Sequence, residues 1–390
     1  MKKIFLLLIS FSALSIMTVS ANDKELVNQI LQNNQTIESL RLSSTSSILQ
    51  LKTEGNLPDP EVEMEIMAKP INSIELTASE TIEWPGVYGA RRNARNNRID
   101  AEQYLFQSKC NEIIKEARLS YVELISINAQ LTRSRKLLSV VDSILSKVAN
   151  PNLKGDYTVL DISKLKIEAF DLSSSISSLE IRRQVILNDL KLQNGGKDLQ
   201  SVDLQCTAYP VELQPLDAYI MAYYESPEYK VVLSTLAANQ YDIKANRMSG
   251  WPNIKLGYKF VKEADVKAHG AVVGISIPIF SNRGKVKASQ AEGRSTDYTK
   301  SYLVKKGEAE IESKYSEIIN YKKMIEKYED SVNYEEVKSY LDSSLSSKSI
   351  TIVDYLSEYK FVLSALQKVD EMQMQLAEKY VDLLKYCALH

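Results

Sequence analysis

Two aspartates hold matching places in the chain: Asp161 ends Thr158-Val159-Leu160-Asp161 and Asp354 ends Thr351-Ile352-Val353-Asp354, 193 residues further on. Each is expected in the first turn of a helix that follows a tight turn, where the helix N-terminus favours a carboxylate. An N-terminal aspartate is also a common cap that needs no further role. Catalysis has less to work with. His269, expected in a surface loop, and His390, at the terminus, sit in no cluster with cysteine or carboxylate at metal-ligand spacing. Arg283-Gly284-Lys285 is a lone basic-glycine step without the other glycines of a phosphate loop. With no nucleophile and base to pair, the sequence predicts no enzyme, no metal site and no cofactor.

Cys110, Cys206 and Cys387 lack the spacing of a zinc site or a disulfide framework. Cys110 continues an apolar seam through Phe106 and Ile113, and Cys387 one through Tyr380 and Leu383, so both are expected as small buried hydrophobes. No obligatory disulfide is expected. The 48 Lys+Arg against 50 Asp+Glu leave a charge of −2, which gives no reason to invoke nucleic acid.

The elements that must position the aspartates are long. Steps of four and three from Phe106 select Cys110, Ile113, Ala117, Ser120, Leu124, Ile127, Leu131, Ser134, Leu138, Val141, Leu145 and Val148, a coiled-coil seam. The helix it predicts, over 87–149, is roughly 95 Å long, more than a compact domain encloses. A second seam runs from Ile352 through Tyr355, Tyr359, Val362, Leu366, Val369, Gln373, Leu376 and Tyr380 to Leu383. Shorter helices over 23–53 and 157–193 are expected end to end and antiparallel beside the long one.

Residues 1–21, with Lys2, Lys3, an apolar run from Ile4 to Met17 and then Val19-Ser20-Ala21, read as a signal peptide. The rest reads as two repeats, 22–193 and 216–390, joined by a connector at 194–215. No later apolar run approaches the ~18 residues of a spanning helix. Membrane crossing would therefore use strands. Val62, Met64 and Ile66 alternate with Glu61, Glu63 and Glu65, and Ile74, Leu76, Ile82 and Trp84 alternate with Glu75, Thr77, Thr81 and Glu83. Later, Ile254, Leu256, Tyr258 and Phe260 oppose Lys255 and Lys259, and Ala271, Val273, Ile275, Ile277 and Ile279 oppose Gly274 and Ser276. This is the dyad pattern of a barrel strand with lipid outside and water inside. Four strands cannot close a membrane barrel, so several protomers would share one. The competing reading is two exposed hairpins of a soluble sheet. Basic sets follow each strand pair, Arg91, Arg92, Arg95 and Arg98, then Arg283, Lys285, Lys287 and Arg294. They are placed beneath the inner leaflet, where anionic headgroups would attract them, or else on a plain solvated helix face.

Leu57-Pro58-Asp59-Pro60, Glu83-Trp84-Pro85-Gly86, Trp251-Pro252-Asn253, Gly274-Ile275-Ser276-Ile277-Pro278-Ile279-Phe280 and the two segments ending in Asp161 and Asp354 stand in one order. With them the chain resembles the TolC-like outer-membrane efflux protein family over nearly its whole length past residue 21, most closely the heavy-metal and multidrug branches. The resemblance implies a mostly α fold: long antiparallel coiled helices in tandem repeats, and four strands per protomer in a trimeric twelve-stranded β-barrel on a helical tunnel. It implies a homotrimer in the outer membrane of a Gram-negative bacterium, extending into the periplasm. There it would act as a passive exit duct for small molecules or metal ions, with a periplasmic adaptor and an inner-membrane pump as partners. Asp354 is then expected in a ring of carboxylates at the narrow periplasmic end, with Asp161 setting the tip beside it. The tip would comprise Lys154, Gly155, Thr158, Lys348 and Thr351. The chain departs from the family where Lys348 and Ser349 replace a glycine of the second tip. It departs again where Ile350 stands in place of an arginine that helps lock the closed pore in some members. A periplasmic adaptor and a coiled-coil structural protein are the alternative functions, and the paired strands argue against the latter.

Overall fold

The computed structural model describes residues 21–68, 73–148, 158–263, 266–331, 334–347 and 349–387. Residues 1–20 of the expected signal peptide, the tip residues Lys154, Gly155 and Lys348, and His390 lie outside them. No helix among the described residues is long and apolar enough to cross a membrane.

The chain runs through α1 (Ala21–Asn33), α2 (Gln35–Thr53), β1 (Glu61–Met67), β2 (Ser73–Ile82), α3 (Pro85–Val148) and α4 (Val159–Gln193). An irregular stretch leads to α5 (Leu216–Glu225), α6 (Pro227–Met248), β3 (Asn253–Glu263), β4 (Val266–Ser276), α7 (Lys285–Ser331), α8 (Tyr334–Ser346) and α9 (Ile352–Leu384). Pro85 occupies the first position of α3, where its missing N–H costs nothing and its fixed φ suits a helix. No further proline occurs before Pro151, and the helix continues for 64 residues.

The expected single helix over 23–53 is broken. Asn34 is extended, and its side-chain oxygen accepts from Thr36 N and Ile37 N at 2.9 and 3.1 Å, which starts α2 afresh. Its side-chain nitrogen donates to Gln193 O at 2.8 Å. The break therefore sits where α4 ends, and α4 and α2 stand end to end along α3. Gly195 closes this junction with φ +65°, and a Cβ there would lie 2.3 Å from Asn33 O. Ser226 and Pro227 make the corresponding break between α5 and α6, with Ser226 Oγ accepting from Tyr229 N.

α3 packs against α1, α2 and α4 on one side and against α6 and α9 on the other; α7 packs against α5, α6 and α9. The helices thus form a wall in the order α2/α4, α3, α6/α9, α7, with α2/α4 and α7 at its edges. One apolar cluster joins α1, α3 and α4 through Leu26, Ile30, Tyr121, Leu124 and Leu190. A second joins α5, α7 and α9 through Tyr219, Tyr223, Ile311, Ile318 and Leu383. A third, with Val141, Ile144, Leu165, Ile352 and Tyr359, ties the two halves together near the tip.

The four strands form one antiparallel sheet in the order β1-β2-β3-β4. Transverse rows cross it in register, Met64↔Leu76↔Phe260↔His269 and Val62↔Ala78↔Tyr258↔Ala271 on one face, Glu63↔Thr77↔Lys259↔Gly270 on the other. His269 is therefore a strand residue of β4, not a loop residue as expected. Ile277 and Ile279 fall beyond the strand, in a tight turn with Ile279 N donating to Ile277 O at 2.9 Å.

Candidate functional site

The sheet is the first unusual place, because nothing among the described residues covers its apolar face. Val62, Met64 and Ile66 are 65–68% exposed, and Ile74, Ile82, Ile254, Leu256, Tyr258, Val273 and Ile275 on the same face are exposed as well. An apolar sheet face must be buried against another element or surface. The charged residues on this face are Glu80, opposite Leu256, which breaks the period-two pattern of β2, and Lys262 and Lys267 at the far end of β3 and β4. The other face is wet and partly neutralised, with Lys255 Nζ 3.5 Å from Glu61 and Lys259 paired with Glu75. At the helix end of the sheet Trp84 and Trp251 lie tilted against each other with ring centroids 4.9 Å apart. Phe280 projects beside this level of the chain, 83% exposed.

Below the sheet the basic residues divide into two groups. Arg91 pairs with Glu83 at 3.0 Å, and Arg98 pairs with Asp242 at 2.5 Å and Glu54 at 3.8 Å. Burial pushes the Asp242 carboxyl above its ordinary range despite that arginine. Arg95 lays its guanidinium against Gly55, where a Cβ would meet Nη1 at 2.0 Å. Arg92, Arg283 and Lys285 are exposed and make no ion pair among the described residues.

The two tip segments carry the same local chemistry. Thr158 Oγ1 accepts from Asp161 N at 3.1 Å, and Asp161 Oδ2 accepts from Thr158 N and Oγ1 at 3.1 and 2.6 Å. In the second segment Thr351 Oγ1 accepts from Asp354 N at 3.1 Å, and Asp354 Oδ2 accepts from Thr351 N and Oγ1 at 3.3 and 2.7 Å. Both are reciprocal capping boxes that satisfy orphan N–H groups at a helix start. These hydrogen bonds from Thr158 hold the Asp161 carboxyl below its ordinary range. Asp354 is exposed and Asp161 half-buried.

Sequence spacing gave no sign of two further charged sites, since their partners lie far apart in the chain. Asp23 is buried and takes a bidentate pair from Arg118 at 2.6–3.0 Å, plus a hydrogen bond from Tyr209 Oη at 2.9 Å. Asp370, 4% exposed, pairs with Arg133 at 2.6 Å beside a cleft of about 320 Å³ between α3, α7, α9 and the connector. Burial pushes the Asp370 carboxyl up to about 6. Cys110 and Cys387 pack into the helical clusters, and burial raises their thiols to about 11 and about 12. No group of three or more His, Cys, Asp or Glu that could hold a metal exists among the described residues.

The edges of the wall are apolar. On α4, Ile167, Phe170, Ile181, Val185 and Leu192 are exposed at helical spacing, followed on α2 by Leu42 and Leu49; on α7, Tyr298 and Tyr302 are exposed.

No family model matches the sequence, and no curated protein matches it. Solved structures do share its fold. VceC, an outer membrane protein of Vibrio cholerae, superposes with a TM-score of 0.73 at 13% identity, over 95% of this chain and 98% of that one. A membrane protein from Pseudomonas aeruginosa gives 0.73 at 15% identity, over 94% and 90%. The Campylobacter jejuni CmeC outer membrane channel gives 0.69 at 14% identity, over 94% and 85%.

Proposed function

We propose that this chain, which has the fold of those outer-membrane proteins, is a TolC-like protomer of a homotrimeric efflux channel. The observation that carries the reading is the uncovered sheet. Its edge strands β1 and β4 lie at the same two margins as α2/α4 and α7, so one head-to-tail contact would pair strand with strand and helix with helix. A heterologous contact of that kind closes into a ring when the rotation permits. Closure satisfies every edge N–H and C=O, which hydrocarbon demands, and turns the apolar face outward with the glutamates and lysines inward. Three copies give twelve strands.

The helical wall would then enclose a tunnel reaching across the periplasm, with the tip segments meeting a periplasmic adaptor and an inner-membrane pump. In this reading the protein is a passive exit duct for small molecules or metal ions and catalyses nothing. Asp354 would line the narrow end as three carboxylates, with Asp161 fixing the neighbouring tip. Such a ring selects cations by close-range charge. Arg92, Arg283 and Lys285 would face inner-leaflet headgroups.

Planar-bilayer recording of the detergent-extracted protein tests this directly. Cation-preferring conductance is expected, blocked from the tip side by a trivalent complex, with Asp354→Ala reducing both the preference and the block. A protein that stays monodisperse without detergent and forms no pore would be an adaptor-like soluble assembly instead. Conductance that Asp354→Ala leaves unchanged would keep the channel and return Asp354 to the role of a cap.

A further inference from the structure

β3 and β4 treat their lysines differently on the two faces of the sheet. Lys255 and Lys259, on the wet face, each stand beside a glutamate. Lys262 and Lys267 are on the apolar face, at the hairpin end of the two strands, and the register sets them directly opposite each other. Both are exposed, and neither makes an ion pair among the described residues. Side chains directly opposite in an antiparallel pair have Cβ atoms roughly 5 Å apart, and like charges there are destabilising. The alternation turns Glu263 to the other face. Glu80, the acid on this face of β2, lies six residues along the strand from Ile74, the partner of Lys262, which is about 20 Å. Among the described residues the fold thus holds two cations without an acidic partner together where the apolar belt ends.

Immediately beneath them is an aromatic step. His269 pairs with Phe260, its ring centroid 5.2 Å from that ring and 5.9 Å from Tyr258, and its Nδ1 is hydrogen-bonded to the Tyr258 hydroxyl. Amphipathic rings of this kind collect at the headgroup level of a membrane. We infer that Lys262 and Lys267 clamp the phosphate of an outer-leaflet lipid, whose acyl chains lie on the belt below while Tyr258, Phe260 and His269 pack at the junction. The inference rests on the reading of this face as lipid-facing. A phosphate bridging the two ammonium groups converts their repulsion into two attractions, and long lysine stems reach upward to it at little cost. A lipid is favoured over a free anion because the clamp opens onto apolar surface, which a free phosphate cannot use.

The test measures the rise in melting temperature of the detergent-solubilised trimer against added mixed micelles. One arm contains a diphosphorylated glycolipid of the lipid A type, a second its dephosphorylated form, and a third inorganic phosphate. At about 1 kcal/mol per lysine, the Lys262→Gln, Lys267→Gln double variant should need roughly 30-fold more phosphorylated lipid for half the effect. The dephosphorylated lipid should act weakly and equally on both proteins. Equal half-points for the phosphorylated lipid in the two proteins would overturn the clamp, as would full stabilisation by inorganic phosphate alone. If neither lipid affects either protein and no detergent is needed, the lipid-facing reading itself fails. Pore conductance is the check on folding, and the double variant should keep it.

Discussion

In the channel reading, Asp354 serves two purposes that a single substitution confuses. Its carboxylate closes a capping box with Thr351 and, in the channel reading, also lines the narrow end. Thr351→Ala removes the cap and leaves the charge. It is expected to lower tip stability by about 1 kcal/mol and to retain cation preference, whereas Asp354→Ala loses both. Equal conductance from the two variants would remove the carboxylate from the pore. Asp370 makes the second residue-scale prediction. Burial raises its folded pKa from 3.8 to about 6, so below about pH 4 it is protonated in both states and adds no penalty. Between those values the folded chain keeps a proton that the unfolded chain has lost, and stability falls as pH rises. Above about 6 the cost is complete, about 3 kcal/mol. Asp370→Asn should erase this dependence while stranding Arg133, so the stability difference between wild type and variant should shift by that amount across the window. A pH-independent difference would rule the mechanism out. The Thr-x-x-Asp positions were legible because a cap is a local pattern. Asp370 was not, because its partner stands 237 positions away.

Among the elements, the strands were readable and the helix margins were not. Period-two alternation located all four strands, since a sheet wet on one face writes that pattern into the sequence. It misplaced Ile277 and Ile279, whose alternation outlasts the strand, and His269, whose polarity suggested a loop while its neighbours Phe260 and Tyr258 give it a place in β4. The α3 heptad recovered one seam. A second runs beside it through Ile114, Arg118, Tyr121, Ile125 and Asn128, because a helix with neighbours on both sides buries a wider face than one seam describes. The break at Asn34 is tertiary in origin, fixed by the end of α4. Among the described residues nothing covers the α4 stripe. Phe170→Glu with Ile181→Glu is therefore expected to yield a folded but monomeric protein, read as mass by light scattering in detergent with unchanged helical circular dichroism. A trimer in that variant would place the protomer contact elsewhere.

At the scale of the whole molecule, the wall is two long rods, α3 and α7, each flanked by shorter helices, with the sheet continuing it at one end and the capped turns at the other. α3 runs unbroken between them, from Pro85 to Val148, which sets the two ends roughly 95 Å apart. The chain holds two tryptophans, and both lie in one contact, Trp84 against Trp251, where sheet meets helix. Intrinsic tryptophan emission is consequently a single-site optical reporter that the sequence supplies ready-made. In the channel reading it should shift to the blue when this level of the protein leaves water during assembly and remain silent to changes at the capped helix starts. One spectrum then separates insertion from gating without a label.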